Sequence, residues 1–197
     1  DAKIVYAGKV PQERIFEVPA AEILTPAESP LPRINSPAVF GVRPGRPFLY
    51  TIAATGVRPM AFAAENLPEG IALEAKSGRI TGTIASLEHK TYVVTLKAKN
   101  AEGEASKKLR IVVGDTIGLT PPLGWNSWNC WGPRVDADKV RASAQALVDS
   151  GLANHGWIYI NIDDCWQAGR TGKDKALQAN EKFPDMKKLG DDIHAMG

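Results

Sequence analysis

The hydrophobic pattern of this chain changes its period once, at Thr120-Pro121-Pro122. Before that point apolar residues recur at every second position, as half-buried strands require. Tyr92, Val94, Leu96 and Ala98 share one face of such a run, with Thr95, Lys97 and Lys99 opposite beside Val93. Asn100-Ala101-Glu102-Gly103 supplies turn residues, and Leu109, Ile111 and Val113 form the inner face of a second run. The two runs predict a hairpin that closes a small sandwich. Phe48, Tyr50 and Ile52 alternate with Leu49 and Thr51 in the same way, while Gly70, Gly78 and Gly82 read as turn positions around short apolar strands.

After the Pro-Pro break the spacing becomes helical. Asp136 or Asp138 can cap a helix, because a short carboxylate accepts from the first free amides. Val140, Ala144, Leu147 and Val148 then fall on one face, and Gly151 is a natural stop. Ile158, Ile160 and Ile162 alternate next, predicting a short, well-buried strand with Asp163 and Asp164 at its far end. Beyond a polar loop, Phe183-Pro184 opens a second helix with Met186, Leu189, Ile193 and Met196 on its inner face. Strand, helix, strand, helix is the unit of a parallel α/β sheet. A closed barrel of eight such units needs about 250 residues, so residues 116–197 supply two of them.

Several classes are disfavoured. The net charge is +2, and the longest basic runs, Lys107-Lys108 and Lys187-Lys188, read as solvated faces. That gives no electrostatic case for nucleic acid or an anionic membrane. No apolar stretch approaches the roughly 18–20 residues of a membrane span. His155 and His194 have no partners that suggest a metal site, and Gly169-Arg170-Thr171-Gly172-Lys173 lacks phosphate-loop spacing. Pro19, Pro26, Pro30 and Pro32 punctuate the first residues, so 1–31 is expected to be an arm or linker, with one short strand at Lys3-Ile4-Val5-Tyr6. The chain starts at Asp1 rather than Met, which suggests a removed leader. Cys130 and Cys165 are too few for a disulfide scaffold but could form one bridge in an oxidising compartment.

In α/β barrels chemistry lies at the C-terminal ends of the strands. Trp125 and Trp128 follow the first strand, and Asp163 and Asp164 the second. A carboxylate accepts from neighbouring sugar hydroxyls through strong charge-assisted bonds, and an indole face packs on the apolar side of a pyranose ring. On residue type alone two readings stand. The aspartates could equally cap a turn, and the indoles could equally be core.

Two resemblances extend these readings. LPEGIALEAKSGRITGT and YVVTLKAKNAEG resemble the Ig-like repeats (cadherin-like, dystroglycan-type) of secreted and surface proteins. LTPPLGWNSWN, GWIYINIDDCW and FPDMKKLGDDIHAMG follow in order and resemble the retaining α-galactosidases and α-N-acetylgalactosaminidases of glycoside hydrolase family 27, the melibiases. The expected architecture is therefore multidomain. It has an N-terminal arm or linker at 1–31, an all-β Ig-like sandwich at 32–115, and the first part of a (β/α)8 TIM barrel at 116–197.

The second resemblance implies an exported, periplasmic or extracellular hydrolase acting on oligosaccharides with terminal α-linked galactose, with no metal or organic cofactor. It implies that Trp128 walls the sugar subsite, with Trp125 nearer the barrel core, and that Asp163 and Asp164 bind hydroxyls remote from the anomeric carbon. Family members often join a cysteine beyond GWNSWN to the cysteine of IDDC. Cys130 stands closer to the motif than theirs, so a Cys130–Cys165 bridge and two buried free thiols both remain open. Retaining glycosidases need a nucleophile and an acid/base about 5–5.5 Å apart. The family draws both from later strands, and no residue here matches either motif, so the chain contains no catalytic residue and is expected to be inactive alone. The open barrel edge predicts self-association. The alternative is a non-catalytic Ig-like surface or carbohydrate-binding module with a vestigial barrel segment.

Overall fold

A computed structural model of the chain describes residue 8 and residues 27–197. The strand expected at 3–6, and most of the arm expected over 1–31, lie outside the described residues. The first domain is built from nine strands: β1 (Arg33–Ile34), β2 (Val39–Val42), β3 (Pro47–Thr51), β4 (Ala54–Thr55), β5 (Ala61–Glu65), β6 (Ile71–Leu73), β7 (Arg79–Thr83), β8 (Lys90–Lys99) and β9 (Glu104–Val113). One sheet has the order β2-β9-β8-β5 and the facing sheet β3-β7-β6, with β1 and β4 paired separately. β8 and β9 are the expected hairpin, in register from Lys90↔Val113 to Lys99↔Glu104. The alternation that predicted them is a burial pattern: Val94, Leu96, Ala98, Leu109 and Ile111 are all fully buried.

The core between the sheets also takes in Phe48, Tyr50, Ile52, Phe62, Ile80 and Val113. Phe40 packs edge-on against both Phe48 and Tyr50, at ring separations of 5.3 and 5.6 Å. The Tyr50 hydroxyl donates to the Pro37 carbonyl at 2.7 Å, and burial pushes its pKa up, against a lowering hydrogen bond with Ser36. One glycine differs from expectation. Gly82 lies within β7, opposite Ile71, rather than in a turn. A Cβ there would sit 2.2 Å from the Gly70 carbonyl oxygen, so close strand approach, not chain reversal, requires the residue.

The second part contains β10 (Gly124–Asn126), a single helical turn α1 (Trp128–Trp131), helix α2 (Ala137–Asp149), β11 (Tyr159–Asn161) and helix α3 (Met186–His194). Three-residue and four-residue 3-10 turns occupy Gly132–Arg134 and Leu152–His155. β10 and β11 pair in parallel, Gly124↔Tyr159 to Asn126↔Asn161. That is the strand and helix order expected for the start of a βα barrel, without barrel closure among the described residues.

Local chemistry fixes the helix ends. Asp136 caps α2 by accepting from the Lys139 amide at 2.9 Å, and Asp185 caps α3 by accepting from the Lys188 amide at 2.8 Å. Gly151 adopts the left-handed conformation, φ 79°, just past α2. Val135, Val140, Phe183 and Leu189 form a second buried cluster. Two burial expectations are corrected. Val148 is 42% exposed, and β11 is half-buried along its length rather than well buried. The reason is geometric: a barrel strand is covered by neighbours on both edges, and among the described residues β11 pairs on one edge only.

Candidate sugar-binding site

The carboxyl ends of β10 and β11 meet in one polar cluster. The two strands are parallel and adjacent, so whatever follows Asn126 lies beside whatever follows Asn161. The Ser127 amide donates to the Asn161 carbonyl at 3.1 Å, extending the pairing by one residue. Ser127 is 1% exposed, and its hydroxyl accepts from the Asp163 amide at 2.9 Å. Gly124 makes this pairing possible, since a Cβ there would fall 1.9 Å from the Tyr159 carbonyl oxygen.

Asn126 then ties two predicted site residues together. Its side-chain amide donates to Asp163 Oδ2 at 3.0 Å, and its side-chain oxygen accepts from the Trp128 amide at 2.9 Å. Asp163 is thus presented outward with one oxygen held and the other free of protein partners among the described residues. Trp128, whose backbone amide this link holds, is 44% exposed. The pairing of an open indole with an oriented carboxylate is what a pyranose requires, stacking on one side and hydroxyl acceptance on the other.

Asp164 is held differently. Cys165 adopts a left-handed backbone, φ 69°, uncommon for a residue with a side chain. The turn brings the Cys165 amide to Asp164 Oδ1 at 2.7 Å, and Gln167 Nε2 donates to the same oxygen. The Cys165 amide first, and Gln167 second, hold its pKa below the usual aspartate value. It stays ionised and accepting through the neutral range. The two adjacent carboxylates are therefore committed to different donors.

The remaining predicted residues fall as follows. Trp125 packs half-buried against the second cluster, beside the core rather than open to solvent. Cys130 lies exposed on α1, while Cys165 packs against the second cluster, and both are free thiols. The bridge is not formed in this structure, and neither thiol is buried, Cys165 being half-buried and Cys130 exposed. His155 and His194 end the second 3-10 turn and α3, as expected of helix-end residues. Among the described residues no group of three or more His, Cys, Asp or Glu side chains is placed to hold a metal ion. Asn126, Ser127 and Gln167 were not singled out from sequence. Asn126 and Ser127 stand inside GWNSWN, and the signal that could have found them is a Ser flanked by aromatics at a strand end, where a buried hydroxyl needs a partner. Trp131 Nε1 is buried without an acceptor among the described residues.

Comparison with known proteins gives both parts an identity. Residues 31–114 match the family described as "Putative Ig domain", and residues 120–197 match that described as "Alpha galactosidase A". Alpha-galactosidase A of Cellvibrio japonicus is 48% identical over 85 residues, covering 42% of this chain and 21% of that protein. The alpha-galactosidase of Cyamopsis tetragonoloba is 39% identical over 107 residues, covering 52% of this chain and 26% of that protein. The chain thus spans about a quarter or less of the curated relatives it matches. A Bacteroides fragilis structure described as a "putative alpha-galactosidase" superposes with TM-score 0.78 at 43% identity, over 89% of this chain and 37% of that one. A second from the same organism, described as a "putative alpha-galactosidase/melibiase", gives 0.75 at 43% identity, over 84% of this chain and 36% of that one. Neither part alone reaches such coverage, so both parts superpose together. Residues 120–197 thus match the opening segment of the α-galactosidase family of glycoside hydrolases, and an Ig-like match precedes them in this chain.

Proposed function

We propose that this chain supplies part of the glycone subsite of an exported, retaining α-galactosidase-type hydrolase, with Trp128, Asp163 and Asp164 as the sugar-binding residues. The observation that carries the reading is the Asn126 link, which joins the Asp163 carboxylate to the backbone amide of the exposed Trp128 at the carboxyl ends of two parallel barrel strands. The substrate class follows from the relatives, each named an alpha-galactosidase. Asp163 and Asp164 bind hydroxyls and do not cleave. Asp164 is fixed by its own turn, and retaining chemistry needs two carboxylates facing each other across a bond. The double displacement therefore draws its nucleophile and its acid/base from outside residues 1–197.

Titrating the 197-residue protein with galactose, and with glucose as the control, tests this through chemical shifts of the indole NH groups and the Asp163 and Asp164 amides. Galactose should shift Trp128 and Asp163 together, and glucose should shift them less. Equal response to the two sugars, or none to either, would refute the subsite. In the same preparation an aryl α-galactoside should not turn over. Turnover would show that the carboxylate assignment is wrong.

A further inference from the structure

The Ig-like domain touches the barrel segment at the face opposite the sugar subsite. Asp163 and Trp128 lie past the carboxyl ends of β10 and β11, whereas the contacts with the first domain fall on residues that precede β11 or end α3. Those positions are where helices hand over to strands, and where the last carbonyls of each helix lack intrahelical partners.

Side chains of the Ig-like domain fill that need at two points. Thr51 and Arg79 are directly opposite on neighbouring strands β3 and β7. Thr51 Oγ1 donates to the Gly197 carbonyl at 2.7 Å, and the Arg79 guanidinium donates to the Ala195 carbonyl. Ala195 is the C-cap of α3, so Arg79 also sets a positive charge at the negative end of the helix dipole. At the second point Asn35 Nδ2 donates to the Asn154 carbonyl at 2.9 Å, and Arg58 donates to Asn154 Oδ1 at 2.7 Å. Asn154 lies in the 3-10 turn that leads into β11.

Among the described residues these are the side-chain hydrogen bonds between the Ig-like strands and the barrel segment; ahead of β1, Glu28 also pairs with His155 at 2.6 Å. The two buried clusters share no residue among the described residues. Between them lies a cleft of about 760 Å³, with Phe40 and Tyr50 on one wall and Ile158, Ile160, Met186 and Leu189 on the other. Apolar surfaces held apart by a cleft contribute little cohesion, so the polar caps around it carry the attachment.

We propose that the Ig-like domain is a bracket for the barrel. Its interaction surface, formed by Thr51, Arg79, Asn35 and Arg58, has as its partner the helix-to-strand turns of the same chain. Through them it holds the first two βα units in register. This assigns the domain a different occupant for that surface from a glycan, and it is independent of the galactose reading.

All five tryptophans, at 125, 128, 131, 157 and 166, lie in the barrel segment, so their fluorescence reports that segment alone. The test is urea unfolding of the 197-residue protein followed by tryptophan emission and by far-UV circular dichroism, in the Thr51→Val/Arg79→Ala double variant and in Asn35→Ala. Each loses hydrogen bonds to orphaned carbonyls while keeping the apolar core of the sandwich. The tryptophan midpoint should fall by about 0.5–1 M urea, from the size of such bonds and of typical denaturant slopes. The sheet transition should stay where it is. Arg79 also pairs with Glu74 at 3.0 Å within the Ig-like domain, so Glu74→Gln is the control and should leave the tryptophan midpoint unchanged. An unshifted tryptophan midpoint in both cap variants would overturn the bracket. So would a matching fall of the sheet transition, or tryptophan emission in the unsubstituted protein without urea that already equals that of the urea-unfolded chain.

Discussion

Asn126 holds the Asp163 carboxylate with one end of its amide and the Trp128 backbone NH with the other, so one residue ties the two strand ends together. Asn126→Ala should leave Trp128 and Asp163 in place in sequence but free to rotate apart. A solvent-accessible hydrogen bond to a charged group is worth on the order of 1 kcal/mol, so galactose binding should weaken roughly three- to tenfold, read in the same chemical-shift titration. Gly124 belongs to the same motif for a different reason. Gly124→Ala would drive a methyl group into the Tyr159 carbonyl. It should separate β10 from β11, seen as loss of slow amide exchange at Tyr159–Asn161 with β8 and β9 unaffected. The residue types of the site were legible in sequence, while the different places of its two tryptophans came only from the family resemblance. Trp125 and Trp128 look alike as letters, yet one packs against core and the other stands open, because the chain turns into α1 between them.

The two barrel helices are joined by one carboxylate. Asp192 of α3 accepts from Lys188 Nζ at 2.8 Å on its own helix and from Arg141 Nε of α2 at 3.1 Å. The Lys188 hydrogen bond first, opposed by burial and then helped by Arg141, lowers its pKa. A lowered folded pKa stabilises the fold above the unfolded value and loses that contribution as pH falls through the folded one. The α2–α3 attachment should therefore weaken below about pH 4, the ordinary aspartate range. Amide exchange in α3 measured from neutral to acid pH should rise in the parent protein, and Asp192→Asn should show the raised exchange already at neutral pH. Beneath this pair, Leu189 is 1% exposed in a cluster with only four fully buried members. Leu189→Ala should cost about 2–3 kcal/mol, the low end for such truncations, because partly exposed neighbours can settle into the gap. The helices and the α2 cap were readable in the sequence because capping is local, Asp136 bonding a residue three positions away; Asp185 caps α3 in the same way but was not singled out beside Phe183-Pro184. The burial of β11 was not, since three isoleucines look the same whether or not a further strand covers them.

At the scale of the molecule the chain is two cores of unequal size. Among the described residues the sandwich's core cluster has seventeen buried apolar members and the barrel segment's cluster four. Apolar burial contributes roughly 1.5–3 kcal/mol for each large side chain fully removed from water, so the sandwich has far more to hold it together. The interface between the cores was invisible in sequence. Thr51 and Arg79 occupy polar positions of alternating strands, where the pattern predicts only a solvated face, and nothing local marks Ala195 or Gly197 as their partners. Unequal cores with a polar junction imply two transitions rather than one. On raising urea, tryptophan emission should change first as the barrel segment opens, and the far-UV signal of β8 and β9 should be lost at higher concentration. A destabilising change in the sandwich, such as Leu109→Ala, should move the second transition down by several kcal/mol and leave the first in place while the sandwich remains folded. Coincident transitions in the parent protein would refute the two-core reading, because a junction of single polar bonds is too weak to couple cores of such unequal size into one unit.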